Sequence, residues 1–332
     1  MKVRVADWLS FCSRINFGAV KISEEEEEKF RTDLNRELLL FCQSLPQSMR
    51  TKAALSLMEY LQTSFRDGLN FANYFYTPSW SILFWLQRSC PDTRKLAPGI
   101  LKDAQIGHTM AMFLHAFDDH LTDGQLPVTH LALLMRSQSW IIMNQAFERL
   151  ARKVAKGAVI VSNFINDYYS SIDTSGQTES LNSYCDFFRK QMATWLIAPV
   201  LVAKRMDLPD EFARSVQTAY SSFGIAWRLL DDLQDIEKDL IKGRHTSLYT
   251  CLPDKIRKGW DRVKDEKVNR NGGTAGQVLK FIFKNGLVDK IRQRICNELE
   301  SAASLANTCD LTGFADELRC LSIPLRDRAS LS

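Results

Sequence analysis

Residues that interrupt helices are scarce in this 332-residue sequence, which contains only 15 glycines and 9 prolines. Strand-like alternation of apolar and polar residues between hairpin turns is absent, which argues against a β-rich fold. Apolar residues instead recur every three or four positions in segment after segment, as they do along one face of a helix. The sequence therefore predicts an all-α protein, a helical bundle.

Boundaries between domains are also missing from the sequence. The Gly- and Pro-containing stretches, such as DGQLP and NRNGG, are short and resemble loops between helices. No internal repeat or shift in composition divides the chain. We therefore expect one α-helical domain over residues 1–332, in which residues 1–50 form an N-terminal extension of the bundle.

Signals for export or membrane insertion are not found. The N-terminal MKVRVADWLSFCSRINFGAV lacks the uninterrupted apolar core of a signal peptide, and no apolar run reaches the roughly 18 residues of a membrane span. The eight cysteines are scattered without CxxC spacing, as expected for buried free thiols of an intracellular protein. These absences predict a soluble, cytoplasmic protein.

Neither sign of charge is in large excess. The formal net charge is +4, and no block of Lys and Arg or RNA-binding signature occurs, so we expect no nucleic-acid partner. Hydrophobic residues make up 45% and charged residues 25% of the chain, which is ordinary for a globular protein with a substantial core.

The segment IAWRLLDDLQDIEKDL carries an acidic stripe inside an apolar pattern. Asp231, Asp235 and Asp239 are spaced by four, so on a helix each lies about 40° from the last. Toward the N-terminus the stripe continues through Trp227 and Phe223. Three like charges at this spacing repel each other unless a cation compensates, and hard cations such as Mg²⁺ prefer oxygen ligands.

A second acidic cluster occurs in MFLHAFDDHLTDGQLP. Asp119 and Asp123 share a helix face, Asp118 lies about 100° away from it, and His115 comes one turn before Asp119. Gly124 and Pro127 follow, which places the acids near a helix end. Two such helices facing each other would form a cavity with a carboxylate-lined mouth and an apolar floor.

A cavity of this kind suits one class of substrate. Carboxylates hold a diphosphate through Mg²⁺, while an apolar floor accommodates a hydrocarbon. Ionisation of an allylic prenyl diphosphate needs stabilisation of the leaving group, and aromatic faces stabilise the cation that remains. We therefore expect a prenyl diphosphate as the small-molecule substrate.

At these motifs the chain resembles the class I isoprenoid synthases, a superfamily of trans-prenyltransferases, squalene and phytoene synthases and terpene cyclases. DDHLTD resembles the first Asp-rich motif, in a DxxxD form, and DDLQDIEKD resembles the second. The resemblance implies a helical bundle with a central active-site cavity, three Mg²⁺ ions and catalytic acids among the metal ligands. The implied ligands are Asp118, Asp119, Asp123, Asp231, Asp232, Asp235 and Asp239.

Further segments match the superfamily between and after the motifs. SGQTESLNSYCDFFRKQM suggests Gln177 and Lys190 as diphosphate-binding residues, and KGRHTSLY resembles a basic loop that closes on the diphosphate through Lys242 and Arg244. Other expected substrate-binding residues are Arg228, Phe223, Trp227 and His115. Homodimers are frequent in this superfamily, so a homodimer is possible, although no segment of the sequence locates its interface.

The reaction type is inferred from missing bases. Chain-elongating prenyltransferases carry clustered Arg and Lys residues before and after the first motif to bind isopentenyl diphosphate, and this chain lacks both clusters. We therefore expect a terpene synthase, a lyase that cyclises or eliminates the carbocation to a hydrocarbon or alcohol. The alternatives are a prenyltransferase in which Arg66, Lys102 or Arg136 replaces those bases, a head-to-head condensing enzyme, and a non-catalytic helical scaffold.

Overall fold

The computed structural model describes residues 5–22, 24–63, 70–90, 96–173, 179–263 and 273–326. Sixteen α-helices and one 3-10 helix (Phe71–Tyr74) make up the regular structure of these residues, and no strand occurs among them, which confirms the all-α prediction. The α-helices are α1 Val5–Cys12, α2 Glu25–Ser44, α3 Gln47–Tyr60, α4 Pro78–Arg88, α5 Pro98–Thr122, α6 His130–Ala151, α7 Gly157–Asp173, α8 Leu181–Gln191, α9 Ala193–Arg205, α10 Asp210–Gln234, α11 Ile236–Lys242, α12 Ser247–Thr250, α13 Asp254–Val263, α14 Gly273–Lys284, α15 Leu287–Thr308 and α16 Thr312–Arg326.

Helix α9 is the centre of the bundle. Its residues Ala193–Ala203 are all buried, which is the pattern of a helix surrounded by others. It packs against α5 on one side and α10 on the other. The indole N–H of Trp195 donates to the carbonyl of Ala111 in α5 at 3.2 Å. Because α9 holds α5 and α10 together, the two helices that end in acidic clusters lie beside each other.

Outer helices complete the core around this centre. Helix α6 packs on α5, α15 on α10, and α16 on both α15 and α4. At Gly107 in α5, a Cβ would overlap the ring of Phe147 in α6, so the absent side chain permits this close crossing.

Local sequence sets the ends of the helices near the site. The side chain of Thr129 accepts a hydrogen bond from the Ala132 N–H and so caps α6, and Ser180 with Ser183 forms a capping box at the start of α8. Gly243 ends α11 at φ 66°, in the left-handed region that glycine adopts readily. The chain therefore turns sharply after Lys242, at the start of the basic loop.

The N-terminal extension contacts the helices of the second acidic cluster. Helix α1 packs on α11 and α14, and Trp8 stacks on Phe283 with ring centroids 4.7 Å apart. We call the following residues 13–18 the N-terminal strap. Its Ile15 carbonyl accepts from the Gln234 side chain at 2.7 Å, and its Gly18 N–H donates to the Leu321 carbonyl at 3.0 Å. The strap thus braces the end of α10.

Two expectations about the chain's chemistry can be compared with the described residues. All eight cysteines are free and six are buried, as expected from their scattered positions. Within the described ranges, no helix combines the length and apolarity needed to cross a membrane.

Candidate active site

The two acidic clusters lie at the ends of α5 and α10. Asp118 and Asp119 occupy the last turn of α5, and Asp123 follows its end. Asp231 lies in the last turn of α10. The cavity between these helices, about 280 Å³ in volume, is lined by Asp118, Asp119 and Asp231, and the charge of Asp119 raises the pKa of Asp231. The structure therefore brings the two clusters together at one cavity.

The second acidic stripe is divided between two helices, which corrects the expectation of one continuous helix. Helix α10 ends at Gln234, and Asp235 has φ −97° and ψ 12°. The N–H groups of Asp235 and Asp239 still donate to the carbonyls four residues earlier, at 2.9 Å each, so the spacing is kept. The bend leaves Asp231 partly exposed while Asp239 is buried at 2% exposure.

The carboxylates are short of compensating positive charge. Burial and the neighbouring carboxylates raise the pKa of Asp231 to about 6 and that of Asp239 to about 7. For Asp239 the largest neighbouring contribution is the charge of Asp232. A divalent cation would relieve this crowding, and the all-oxygen donor set suits Mg²⁺. The residues present therefore fit the ion that the sequence motifs imply.

Arg244 joins the two clusters in this structure. Its guanidinium contacts the carboxylate of Asp123 and lies 3.5 Å from that of Asp239. The ammonium of Lys242 lies 3.4 Å from the Asp123 carbonyl. We call this bridge from Asp123 through Arg244 to Asp239 the Arg244 clasp. It holds the basic loop across the mouth of the cavity.

Other basic residues pair with the remaining carboxylates. Arg136 donates two hydrogen bonds to Asp118 at 2.9 and 3.0 Å, and Lys238 donates to Asp235 at 2.5 Å. Among the described residues, no three acidic, His or Cys side chains converge closely enough to hold a metal ion. Asp119, by contrast, is exposed and has no ion pair with any residue in the described part of the chain. It is therefore the carboxylate most available to an incoming cation.

Asp232 differs from the other acids grouped as metal ligands by sequence. It is fully buried, does not line the cavity, and accepts hydrogen bonds from the Tyr184 hydroxyl and the Ser247 N–H. The expected role as a metal ligand is therefore not favoured at this position, because internal donors already occupy its carboxylate.

Aromatic residues form the wall behind the acids. Trp227 and His115 line the cavity as expected, and both contact Trp195, at ring-centroid distances of 5.3 and 5.0 Å. Burial lowers the pKa of His115, which favours the neutral imidazole. Phe223, in contrast, is fully buried against Tyr220 and does not line the cavity. Its expected role is corrected, because it lies two turns deeper in the core than Asp231.

The diphosphate-binding residues expected from α8 are placed less favourably. Lys190 is exposed and does not line the cavity, whereas the next residue, Gln191, does. Gln177 lies outside the described residues. Arg228 lines the cavity and has its guanidinium 3.3 Å from Asp231. It is therefore the basic residue that the structure places closest to the acids of α10.

Sequence reasoning missed several polar residues of the cavity. Tyr74 and Tyr168 line it, and the Tyr74 hydroxyl pairs with His120 at 3.1 Å. The Tyr168 hydroxyl lies 3.5 Å from Asp118. The dense aromatic run FANYFY was the one signal for Tyr74, whereas Tyr168 reaches the site only through the packing of α7.

Solved structures supply the comparison that identifies this fold. Heptaprenyl diphosphate synthase from Staphylococcus aureus aligns with a TM-score of 0.65 at 13% identity, covering 92% of this chain and 98% of that one. A geranylgeranyl pyrophosphate synthetase from the archaeon Geoglobus acetivorans aligns with a TM-score of 0.63 at 16% identity, covering 92% and 100%. The chain has the class I isoprenoid synthase fold.

A third structure of this fold contains ligands. The polyprenyl synthase from Caulobacter crescentus CB15, complexed with calcium and isoprenyl diphosphate, aligns with a TM-score of 0.63 at 14% identity, covering 97% of this chain and 98% of that one. No protein-family model matches the chain, and no curated protein matches it.

These comparisons correct the expected reaction type. The solved isoprenoid synthases that share the fold are polyprenyl, heptaprenyl and geranylgeranyl diphosphate synthases, so the expectation of a terpene-cyclising lyase is wrong. That expectation relied on clustered bases in the sequence, yet bases from separate helices can meet at one site. Arg136 does so through Asp118, whereas Lys102 pairs with Glu37 about 24 Å away along α5. Arg66 lies outside the described residues.

Proposed function

We propose that the protein is a Mg²⁺-dependent trans-prenyl diphosphate synthase that joins an allylic prenyl diphosphate to isopentenyl diphosphate. The observation that carries the proposal is the meeting of two acidic clusters, from α5 and α10, at one aromatic-walled cavity. The fold's likeness to prenyl diphosphate synthases supports it. We include residues 1–332 in one catalytic domain.

The acids and bases divide the work of binding the allylic diphosphate. Asp119, Asp123, Asp231 and Asp235 would hold the divalent ions, because their carboxylates lie at the cavity and its mouth. Bound ions would neutralise the diphosphate and help it to leave. Arg244, once released from the clasp, is long enough to donate to the diphosphate oxygens.

The cavity wall protects the reactive carbon. When the allylic C–O bond breaks, the diphosphate takes the bonding electrons and C1 becomes cationic. The double bond of isopentenyl diphosphate then attacks C1, and the new cation loses a proton to give the longer diphosphate. Trp227, Trp195 and Phe188 present ring faces that stabilise the cation and exclude water.

Binding of the second diphosphate requires a further base. We assign this role to Arg136, whose guanidinium is held by Asp118 at the cavity and has its centre 5.9 Å from the Trp140 ring. A guanidinium fixed by a carboxylate and an aromatic face is pre-oriented for a diphosphate oxygen.

The test is a condensation assay. Purified protein is incubated with Mg²⁺, radiolabelled isopentenyl diphosphate and allylic diphosphates of 5 to 20 carbons, and the products are dephosphorylated and separated by length. We expect label in products that are one or more five-carbon units longer than the allylic primer. Hydrocarbons or alcohols formed from the allylic diphosphate alone, with no labelled product, would contradict the proposal. Asp119→Asn should abolish labelling, whereas Lys190→Gln, outside the cavity, serves as the surface control.

A further inference from the structure

Asp232 is the most enclosed acid of the second motif. It is 0% exposed, and three donors reach its carboxylate. Its Oδ1 accepts from the Tyr184 hydroxyl at 3.1 Å and lies 3.2 Å from Nε of Arg228. Its Oδ2 accepts from the Ser247 N–H at 2.9 Å. Both oxygens are thus occupied by groups from three separate parts of the chain.

The first of these contacts fixes the Arg228 side chain. Nε of Arg228 also donates to the Tyr184 hydroxyl at 2.9 Å, and the guanidinium has its centre 5.9 Å from the Phe188 ring. A partly buried arginine requires a nearby counter-charge, and Asp232 is the fully buried one. Its removal would leave Arg228 without its anchor while the outer end of the guanidinium remained at the cavity.

The second contact fixes the basic loop. Residues 243–246 connect α11 to α12, and Ser247 is the first residue of α12. The hydrogen bond from the Ser247 N–H to a charged carboxylate is of the strong, charge-assisted kind. It anchors the loop three residues after Arg244, the residue that forms the clasp over the cavity mouth.

We infer that Asp232 is a positioning residue that holds Arg228 and the Arg244 loop around the diphosphate, and that it is not a metal ligand. The inference rests on the proposed function, in which this site binds a diphosphate. It predicts that Asp232 affects the binding of diphosphate through the two arginines, while the affinity for the divalent ion depends on the other acids.

The test compares Asp232→Asn with Asp119→Asn, which makes the same chemical change at an acid that has no described ion pair. The first measurement is limited trypsin digestion of the metal-free protein, with cleavage after Lys242 or Arg244 identified by mass. We expect Asp232→Asn to be cleaved several-fold faster than wild type, since its loop loses an anchor, and Asp119→Asn to be cleaved at the wild-type rate.

The second measurement is calorimetric titration with Mn²⁺ and, separately, with inorganic pyrophosphate in the presence of Mn²⁺. Asp232→Asn should weaken pyrophosphate binding by about tenfold, the effect of one charge-assisted hydrogen bond, with Mn²⁺ affinity unchanged. Asp119→Asn should weaken Mn²⁺ binding itself. Tyr184→Phe removes one donor of the network without altering a motif acid, and should shift loop cleavage and pyrophosphate binding in the same direction as Asp232→Asn.

Two outcomes would overturn the inference. One is an Asp232→Asn protein that loses Mn²⁺ affinity as Asp119→Asn does while its loop is cleaved at the wild-type rate. The other is wild-type loop cleavage and pyrophosphate affinity in both Asp232→Asn and Tyr184→Phe, and Tyr184→Phe alone decides if Asp232→Asn does not fold. Failure of the proposed function would appear separately, as an absence of condensation product from the wild-type protein, because the cleavage assay requires no product.

Discussion

Replacement of Glu317 by glutamine should change how the stability of the protein depends on pH. Glu317 lies in α16 facing α4 and is 5% exposed. Its carboxylate accepts from the Trp85 indole N–H at 2.6 Å and from the Ser81 hydroxyl at 2.5 Å. Burial raises its pKa to about 8, and the charge of Glu27 adds to the effect. In Glu317→Gln, the amide oxygen can still accept from Trp85 and the amide nitrogen can donate to Ser81.

The magnitude follows from the two pKa values. The ordinary pKa of glutamate is 4.5, so between that value and about 8 the folded protein binds the Glu317 proton and the unfolded chain releases it. Wild-type stability therefore falls as pH rises through this window. At about 1.4 kcal/mol per pH unit, the wild type should lose about 3 kcal/mol relative to Glu317→Gln between pH 5 and pH 8.

Urea unfolding at pH 5, 6.5 and 8 measures this difference. The stability of Glu317→Gln relative to wild type should increase steadily with pH, whereas Glu148→Gln, at an exposed position of α6, should follow wild type at every pH. A difference between Glu317→Gln and wild type that stays constant with pH would refute the reasoning, because it would mean that Glu317 ionises normally in the folded protein.

Three further predictions concern the site and the packing. Excess chelator should abolish condensation and Mg²⁺ should restore it, and full turnover in chelator would exclude a metal-dependent reaction. Asp235→Ala should lower labelled product by orders of magnitude with little change in melting temperature, since its pair with the surface residue Lys238 contributes less than about 1 kcal/mol; a fully active variant would mean that the acid is wrongly assigned. Gly313→Ala should destabilise the protein by about 1–3 kcal/mol in urea, because a Cβ there overlaps the Trp85 ring, while Gly99→Ala, with open space around it, should not; equal stabilities would contradict the packing.

The parts of the structure that the sequence predicted depend on local patterns. Helices α5 and α10 are long, and each combines an apolar repeat with acids near its end, so their type and the position of Asp119 and Asp231 follow from spacing alone. The likeness of both motifs to one superfamily then indicated that the helix ends face each other, and the shared cavity agrees with this.

The parts that were missed depend on contacts between distant residues. No Gly or Pro marks the break at Asp235, so the spacing of the acids suggested one straight helix. The place of Asp232 depends on Tyr184, which lies 48 residues earlier in the chain. The absence of a basic cluster suggested a cyclase because a sequence displays bases in chain order, whereas a binding site collects them, as with Arg136, from whichever helices meet.

The N-terminal strap has a consequence for how the protein is made. Its Gly18 N–H bonds to the Leu321 carbonyl in the last helix, and Ile15 binds the Gln234 side chain beside the second acidic cluster. A ribosome working at about 5–20 residues per second needs roughly 15–60 s to synthesise the roughly 300 residues between Gly18 and Leu321. Both acidic clusters are synthesised during that interval, while the strap still lacks its last partner. The end of α10 therefore receives its final brace only when α16 has emerged, so a nascent chain stalled before α16 would carry every acid of the site without a completed wall.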